Sequence, residues 1–374
     1  MMVRPKALSA VHEGIGTLAH GRKAFIEWVA AIAMSIGLAV AAGELVLRFT
    51  PLKVHPILNA VYFSEHPEQF RDQHTEFGYE PFSNNREGAV YSNYSDAWIE
   101  FDAEFMANNA GLVQRRPIDS SEKYTVLVGD SFLHGLGSTP WFYDLEQDLP
   151  AAPLANLGVP GAGVQHWEKA VEWFEHAHAT VDKVVVILIA DDLFRPYWVA
   201  RANKQRIAFC HDERCDNVFI KHQNVDPEIL IQDWYQESQW GPTSSQYIRE
   251  KIRALVVKLR LGQWAINIKR SLLASKARTY FGANKKSFEE LLVRHRVALV
   301  LHLPEKHEAL SQKWSHESFE VRAFLQDSGV NYVDGMERCR LTGDDFYRFD
   351  DHPNTVGYEK IRRCVANLLK VETL

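Results

Sequence analysis

The sequence predicts an α/β fold in which helices flank a mainly parallel β-sheet, and three observations indicate it. Short β-rich segments recur from residue 122 onward, at residues 124–128, 154–156, 184–189, 297–303 and 330–333. The third of these is continuously apolar, as expected for a strand that is covered on both faces. Residues 164–178 carry Trp167, Val171 and Phe174 on one helical face. Such alternation is typical of a parallel sheet between layers of helices.

The composition of the chain is that of a globular protein. Of its 374 residues, 46% are apolar and 24% are charged, so we expect a packed core and exclude an intrinsically disordered chain. The net charge of −6 gives no general attraction to nucleic-acid phosphates. Nucleic acid is therefore excluded as a partner.

The N-terminal region predicts a single-pass membrane anchor. Residues 1–23 form a basic tail, and the apolar segment at residues 24–49 is long enough to cross a bilayer as a helix. The basic flank predicts a cytoplasmic tail and an extracytoplasmic C-terminal domain, periplasmic in a Gram-negative cell. A cleaved signal peptide is the competing interpretation, because Ala39-Val40-Ala41 offers a small-residue cleavage site. The length of the apolar segment favours the retained anchor.

Two further regions accompany the predicted sheet domain at residues 119–374. Residues 50–118 are rich in aromatic and turn-forming residues, which predicts short strands and loops packed on the main domain. Residues 201–290 interrupt the strand–helix alternation and are predicted to form a largely helical insertion. Its segment at residues 245–280 is basic and amphipathic. This segment either packs its apolar face on the domain or binds an anionic membrane surface or an acidic polymer.

The four cysteines indicate an oxidising compartment. Cys210 and Cys215 enclose a short polar loop that suits a hairpin disulfide. A zinc site that includes His211 is disfavoured, because the cluster lacks a full ligand set. Cys339 and Cys364 lie on either side of the segment around residue 352, and the sequence leaves open whether they pair.

Reactive side chains lie where the predicted strands end. Ser131 follows the first strand within Gly129-Asp130-Ser131, and His352 lies in the loop before the last helix. The carboxyl ends of parallel strands meet at one edge of a sheet, so we expect these side chains to converge. A serine hydroxyl becomes a nucleophile when a base takes its proton, and imidazole is suited to that role near neutral pH. The competing interpretation makes Ser131 the N-cap of the helix that follows it.

Three segments resemble the sequence blocks of the SGNH/GDSL hydrolases, and the resemblance covers about residues 105–374. The blocks are Gly129-Asp130-Ser131-Phe132 with Gly135 and Gly137, Asn156-Leu157-Gly158-Val159-Pro160-Gly161, and Asp350-Asp351-His352-Pro353-Asn354 with Gly357. The resemblance implies a three-layer α/β/α fold with a flavodoxin-like, mainly parallel sheet. The N-terminal anchor and residues 109–112 are similar to membrane-tethered bacterial members.

The resemblance also implies a catalytic triad. Ser131 would be the nucleophile, His352 the general base, and Asp350 the carboxylate that orients the imidazole. The family's commoner spacing puts the acid three residues before the histidine, where this chain has Phe349. Asp351 is therefore a reserve candidate for the acid.

Three groups would bind the oxyanion by the same resemblance. The backbone amides of Ser131 and Gly161 fit two of the roles, and Gly158 fits less well because it lies earlier in its turn. The family's third donor is an asparagine side chain, but Asp191 stands at that position. A carboxylate there would repel the developing negative charge unless it is protonated or turned away.

These features predict a membrane-anchored, extracytoplasmic serine ester hydrolase or O-acyltransferase. The expected substrate is an acyl ester, on a polysaccharide or lipid of the cell envelope, and no metal or organic cofactor is implied. The aspartate at position 191 favours an alternative, a weakly active or inactive SGNH-fold scaffold protein of envelope polysaccharide assembly.

Overall fold

The computed structural model describes residues 59–71, 77–92, 96–204, 206–211, 214–220, 222–223, 226–239 and 261–372, with five isolated positions between residues 28 and 38. The chain divides into two compact units, and the unit Pro56–Gly241 with Ala265–Leu374 contains the sheets described below. The predicted anchor at residues 24–49 falls almost entirely outside the described residues. Within those residues, no helix has the length and apolar character needed to cross a membrane.

The elements follow in chain order. The strands are β1 (Asn59–Ser64), β2 (Asn84–Ser92), β3 (Ala97–Met106), β4 (Lys123–Gly129), β5 (Leu154–Gly158), β6 (Thr180–Leu188), β7 (Val199–Asn203), β8 (Arg206–His211), β9 (Arg214–Ile220), β10 (His222–Gln223), β11 (Val297–His302) and β12 (Tyr332–Asp334). The helices are α1 (Ser131–His134), α2 (Phe142–Asp148), α3 (Val164–Ala177), α4 (Pro227–Gln239), α5 (Leu261–Arg294), α6 (Lys306–Ser311), α7 (His316–Asp327), α8 (Gly335–Cys339) and α9 (Thr355–Glu372).

The central sheet is parallel throughout and has the order β12-β11-β6-β4-β5. The predicted parallel sheet is thus confirmed, with its last strand shifted to begin at Tyr332. Neighbouring residues of β6 face opposite sides, so that Val184 and Val186 join one buried cluster while Val185 and Ile187 join another. This alternation is the two-residue period of a strand that is covered on both faces.

Helices cover the two faces of this sheet and create three layers. On one face, α3 buries Trp167, Val171 and Phe174, as the sequence pattern predicts. On the other face, α9 buries Tyr358 and Ile361 beside α2. Each layer of helices therefore encloses its own apolar core against the sheet.

The three strands of residues 59–106 form a second sheet, to which β10 of the insertion adds a fourth strand. Its order is β10-β1-β2-β3, with β1, β2 and β3 antiparallel and β10 parallel to β1. Two of its strands have 9 and 10 residues, longer than the short strands predicted for this region. The aromatic side chains of Tyr91, Phe101 and Phe105 are buried, which explains the aromatic composition as packing against the main domain.

The insertion differs from the sequence prediction at both of its ends. Its first part is an antiparallel sheet of order β7-β8-β9, because alternate residues such as Ile207 and Phe209 face the core. Its long helix α5 extends to Arg294, beyond the predicted end at residue 280, since Phe288 and Leu291 pack into the main core. The predicted helical segment at residues 245–260 lies outside the described residues.

Candidate active site

Ser131 is the first residue of α1, directly after the end of β4. Asp130 is the N-cap of this short helix, and its Oδ1 accepts a 2.8 Å hydrogen bond from the Phe132 amide. Asp130 therefore satisfies the helix end, and the Ser131 hydroxyl is left for other partners. Ser131 is buried, with 4% of its surface exposed.

The side chains of Ser131, His352 and Asp350 form a continuous hydrogen-bonded series. Ser131 Oγ lies 2.9 Å from His352 Nε2, although 221 positions separate them in the sequence. His352 Nδ1 contacts Asp350 Oδ1, and the same oxygen accepts a 2.8 Å bond from the His352 amide. With Nδ1–H donating to the carboxylate, Nε2 is free to accept the serine proton. This is the geometry of an activated serine nucleophile.

The loop that carries the acid and the base is held from several sides. The backbone amide of Tyr347 donates to the His352 carbonyl at 3.1 Å, and Asn354 Oδ1 accepts from the first amides of α9. Lys306 Nζ donates to the carbonyl oxygens of Arg348 and Asp350, both at 3.0 Å. The loop conformation is thus fixed independently of the triad contacts.

Two tyrosines of the N-terminal sheet complete the environment of Asp350. Tyr62 donates to Asp350 Oδ2 at 2.6 Å and Tyr91 donates to the same oxygen at 2.9 Å. The strand register pairs Tyr62 with Ala89 and Ala60 with Tyr91, so both phenols lie on one face of the sheet. The two carboxylate oxygens therefore have separate partners, the imidazole on one and the phenols on the other.

These contacts determine the ionisation of Asp350. Burial alone would raise its pKa, but the hydrogen bond and the charge of His352, together with the bond from Tyr62, hold its pKa well below the usual range. In turn, burial and the negative charge of Asp350 raise the pKa of Tyr62 and of Tyr91. The site thus holds an ionised carboxylate beside two neutral phenols.

Asp351 occupies a different position from its neighbour. Its side chain is 89% exposed and lies 3.7 Å from Lys306 Nζ. Adjacent residues of an extended loop point to opposite sides. Because Asp350 points into the protein, Asp351 points to solvent. Among the two acids that the sequence proposed, the structure places Asp350 against the imidazole.

Two backbone amides are available as donors to an oxyanion. Within the described part of the chain, neither the Ser131 amide nor the Gly161 amide has a hydrogen-bond acceptor. Gly161 has φ +73°, a conformation that favours glycine, and its carbonyl accepts a 2.8 Å bond from Trp198 Nε1. The Gly158 amide is already bonded to Asn156 Oδ1 at 2.9 Å. Gly161 is accordingly the better candidate of the two glycines.

Asp191 is oriented by Arg195. The Asp191 side chain is 54% exposed, and its Oδ2 accepts a 2.8 Å bond from Arg195 Nε. The sequence left open a protonated or a turned-away Asp191, and in the structure its carboxylate pairs with the guanidinium of Arg195.

Arg195 also joins the third strand end to the nucleophile. Its Nη1 lies 3.0 Å from Asp130 Oδ2 and 2.8 Å from Asp192 Oδ1. The same oxygen of Asp130 lies 3.2 Å from Ser131 Oγ. The contact with Asp192 is a charge contact without hydrogen-bond geometry, since that oxygen has no hydrogen-bond donor among the described residues. One guanidinium therefore balances several carboxylates beside the site.

Two histidines near the sequence motifs are buried and lie outside the triad. Burial lowers the pKa of His134 to about 3, and it lowers the pKa of His166 to the same value against opposing bonds from Trp198 and Gly163. Both are neutral near pH 7. His134 Nε2 is 3.2 Å from the Tyr79 hydroxyl, and Tyr79 in turn donates to Glu87 at 3.0 Å.

Three of the four cysteines are disulfide-bonded in the described structure. Cys339 and Cys364 form a disulfide, which settles the pairing that the sequence left open. Cys210 is buried and disulfide-bonded, while the side chains of Cys215 and His211 lie outside the described residues. In the described ranges, His, Cys, Asp and Glu side chains nowhere group in a way that could hold a metal ion.

Comparisons with known proteins give limited information. No protein-family model and no curated protein matches the sequence. One solved structure, a member of the lipolytic protein G-D-S-L family from Veillonella parvula DSM 2008, is similar over 67% of this chain and 99% of its own, at 12% identity and a TM-score of 0.32. A superposition of that quality carries no weight for function.

Proposed function

We propose that this chain is a serine ester hydrolase or O-acyltransferase of the SGNH type that acts through an acyl-enzyme on Ser131. The observation that carries the proposal is the 2.9 Å contact between Ser131 Oγ and His352 Nε2, with Asp350 on the opposite nitrogen of the ring. An imidazole fixed in this way is the base that a serine nucleophile requires.

The proposed reaction has two halves. Ser131 Oγ attacks the ester carbonyl carbon while its proton passes to His352 Nε2, and Asp350 stabilises the resulting imidazolium. The amides of Ser131 and Gly161 donate to the oxyanion. The bond to the alcohol breaks, and the alcohol leaves with the proton from His352. Water, or a hydroxyl of an acceptor, then gives its proton to His352 and attacks the acyl carbonyl carbon. The bond to Ser131 Oγ breaks, and His352 returns the proton to that oxygen, which restores the free serine.

The proposed location is the extracytoplasmic face of a membrane, with residues 24–49 as anchor. The basic flank of this segment supports that orientation, and the Cys339–Cys364 disulfide supports an oxidising compartment. The substrate that fits this location is an acylated polysaccharide or lipid of the cell envelope. Transfer to a hydroxyl of such a polymer is the corresponding acyltransferase reaction.

A non-catalytic scaffold of envelope polysaccharide assembly is the second candidate. Asp191 favours it, because a carboxylate stands where an oxyanion donor is expected. The pairing of Asp191 with Arg195 weakens this argument for a scaffold, since the guanidinium offsets the negative charge of the carboxylate. We therefore rank the enzyme first.

The decisive experiment uses the full-length protein in detergent with a fluorophosphonate probe and p-nitrophenyl acetate. We expect labelling and hydrolysis in the wild type and in Ser138→Ala, and neither in Ser131→Ala. Ser138 is a matched control because it is also buried and lies only seven residues further along the chain. Absence of labelling and hydrolysis in a wild-type protein with a cooperative unfolding transition would support the scaffold.

A further inference from the structure

The hydroxyl of Ser131 has two neighbouring acceptors for its single proton. His352 Nε2 lies 2.9 Å from Ser131 Oγ, and Asp130 Oδ2 lies 3.2 Å from the same oxygen. A hydroxyl group has one hydrogen and donates it to one acceptor at a time. The proposed reaction needs that proton on the imidazole, because imidazole is a stronger base than a carboxylate. Donation to Asp130 would therefore be unproductive.

Asp130 is well placed to compete for this proton. Its side chain is fully buried, and its Oδ1 is already occupied by the amide of Phe132. The other oxygen, Oδ2, is the one that faces the Ser131 hydroxyl. A hydrogen bond to a charged acceptor is roughly twice as strong as one between neutral groups. An unneutralised carboxylate here would thus hold the serine proton more strongly than a neutral imidazole does.

Arg195 places a positive charge on the competing oxygen. Its Nη1 donates to Asp130 Oδ2 at 3.0 Å, while its Nε donates to Asp191 Oδ2 at 2.8 Å. The guanidinium also lies beside Asp192. In the described part of the chain, Asp130 is the one carboxylate of these three that contacts Ser131. The guanidinium therefore acts on the nucleophile through Asp130 Oδ2.

The position of the guanidinium is fixed from other sides. The buried side chain of Asn284, in α5, donates to the carbonyl oxygens of Leu193 and Arg195, both at 2.8 Å. Arg195 Nη1 also donates at 3.3 Å to the carbonyl oxygen of Ala162, the residue that follows Gly161. The main body of the protein thus holds Arg195 between the nucleophile and the loop of the oxyanion donor.

We propose that Arg195 is a positioning residue that directs the hydroxyl proton of Ser131 to His352. The inference rests on the proposed function, because it concerns the same nucleophile. The guanidinium offsets the charge of Asp130 Oδ2 and so weakens the competing acceptor. The proton then lies between Ser131 Oγ and His352 Nε2, and it passes to the imidazole as the bond from Oγ to the ester carbon forms. Arg195 acts through Asp130 and takes no part in the bond changes.

The substitution Arg195→Gln removes this charge. With p-nitrophenyl acetate and the full-length protein, we expect kcat to fall by about 10²-fold, the lower end of what a general base contributes. Fluorophosphonate labelling of Ser131 should slow in parallel, because the same oxygen attacks the probe. The matched control is Arg362→Gln. The Arg362 side chain is 15% exposed, against 21% for Arg195, and it also pairs with carboxylates, those of Asp148 and Glu359. The kcat of this control should equal that of the wild type.

Two double variants separate control of the proton from structural support. In Asp130→Asn/Arg195→Gln, the asparagine oxygen still caps α1 by accepting from Phe132, so the group that faces Ser131 is an amide donor. We expect its kcat to exceed that of Arg195→Gln by at least about tenfold, a coupling typical of residues in one network. The matched control is Asp192→Asn/Arg195→Gln, which has the same net charge. Asp192 is also buried beside the guanidinium but makes no contact with Ser131 in the described structure, so kcat should not recover.

The two double variants are compared with each other, so misfolding of Arg195→Gln alone leaves the test intact. Circular dichroism verifies that each variant is folded at the assay temperature. Equal kcat in the two double variants, or wild-type kcat and labelling in Arg195→Gln, would overturn the role of Arg195 and leave the hydrolase intact. No labelling and no hydrolysis in the wild type would overturn both proposals.

Discussion

The hydroxyl of Tyr62 donates a 2.6 Å hydrogen bond to Asp350 Oδ2 and so joins the first strand to a loop 288 positions later. Tyr91 of the neighbouring strand donates to the same oxygen. The antiparallel sheet at residues 59–106 is therefore part of the active site, because the triad carboxylate takes half of its hydrogen bonds from it.

The phenol groups predict the behaviour of two conservative variants. Tyr62→Phe and Tyr91→Phe each remove a donor to an ionised carboxylate, which we expect to lower kcat/KM by about tenfold, or roughly 1.4 kcal/mol. Loss of the Tyr62 donor raises the pKa of Asp350, so inactivation by protonation of this carboxylate should begin at a higher pH in Tyr62→Phe than in the wild type.

A matched control is Tyr332→Phe, which removes a half-buried hydroxyl that bonds His302 Nδ1 at 3.2 Å. Its kcat/KM and pH profile should equal those of the wild type. If Tyr62→Phe lowers thermal stability but leaves the pH profile in place, the tyrosine has only a structural role.

The two adjacent acids give a direct test of the triad. Asp350→Asn removes the carboxylate that orients His352, and by analogy with serine proteases we expect kcat to fall by roughly 10³- to 10⁴-fold. Asp351→Asn removes an 89% exposed group and should change kcat by less than about threefold. Steady-state kinetics on both variants, with circular dichroism to verify folding, will check this. A larger loss in Asp351→Asn would reverse the assignment.

Asp191→Asn should preserve esterase activity or raise it by up to about tenfold. The substitution removes a negative charge at the position where the resemblance expects a third oxyanion donor, and it supplies an amide that can donate. The ion pair with Arg195 that is lost is half exposed, so its loss should cost no more than about 1 kcal/mol of stability. The measurement is kcat/KM on p-nitrophenyl acetate. A collapse of activity would mean that the Asp191–Arg195 pair has a positive role in positioning.

The buried carboxyl group of Glu87 should make the stability of the folded protein depend on pH. Burial raises its pKa to about 7 from 4.5, against the opposing effect of the Tyr79 bond. The folded state therefore keeps the proton while the unfolded state releases it, and stability falls as the pH rises from about 4.5 through 7. Relative to Glu87→Gln, the wild type should lose about 3 kcal/mol over this interval.

Denaturant unfolding at pH 5 and pH 8 measures this difference. The matched control is Glu104→Gln, which makes the same change at an exposed position on the adjacent strand β3. Its stability relative to the wild type should be the same at both pH values. A difference between wild type and Glu87→Gln that does not change with pH would show that Glu87 is ionised in the folded protein.

The sequence predicted strands and helices of the main domain because apolar residues repeat with different periods in strands and in helices. The continuous apolar run at residues 184–189 and the helical face of Trp167, Val171 and Phe174 each predicted an element that the structure contains. The β-sheet within the insertion was missed, since its strands are short, mix polar with apolar residues, and gain stability from packing on the core. The extension of α5 was missed for the same reason, as tertiary contacts of Phe288 outweigh local pattern.

The residues of the candidate site also divide into those that the sequence predicted and those that it missed. Ser131, Asp350 and His352 lie within compact motifs, so local sequence was enough to propose that they converge. Tyr62 and Tyr91 carry no local signal, because they are two among many aromatic residues and only the register of β1 with β2 brings them to Asp350. The alternation of residues between the two faces of these strands shows which side chains share a face. It does not show which loop the phenol groups contact.

The bond between Cys339 and Cys364 closes a covalent ring across 25 positions, and Asp350 and His352 both lie inside it. A protease that cut one peptide bond of this ring would leave both fragments attached to each other through sulfur. The carboxylate and the imidazole would then stay on one molecule after nicking. The clipped protein would migrate as a single species on a gel until a thiol reagent separated its pieces.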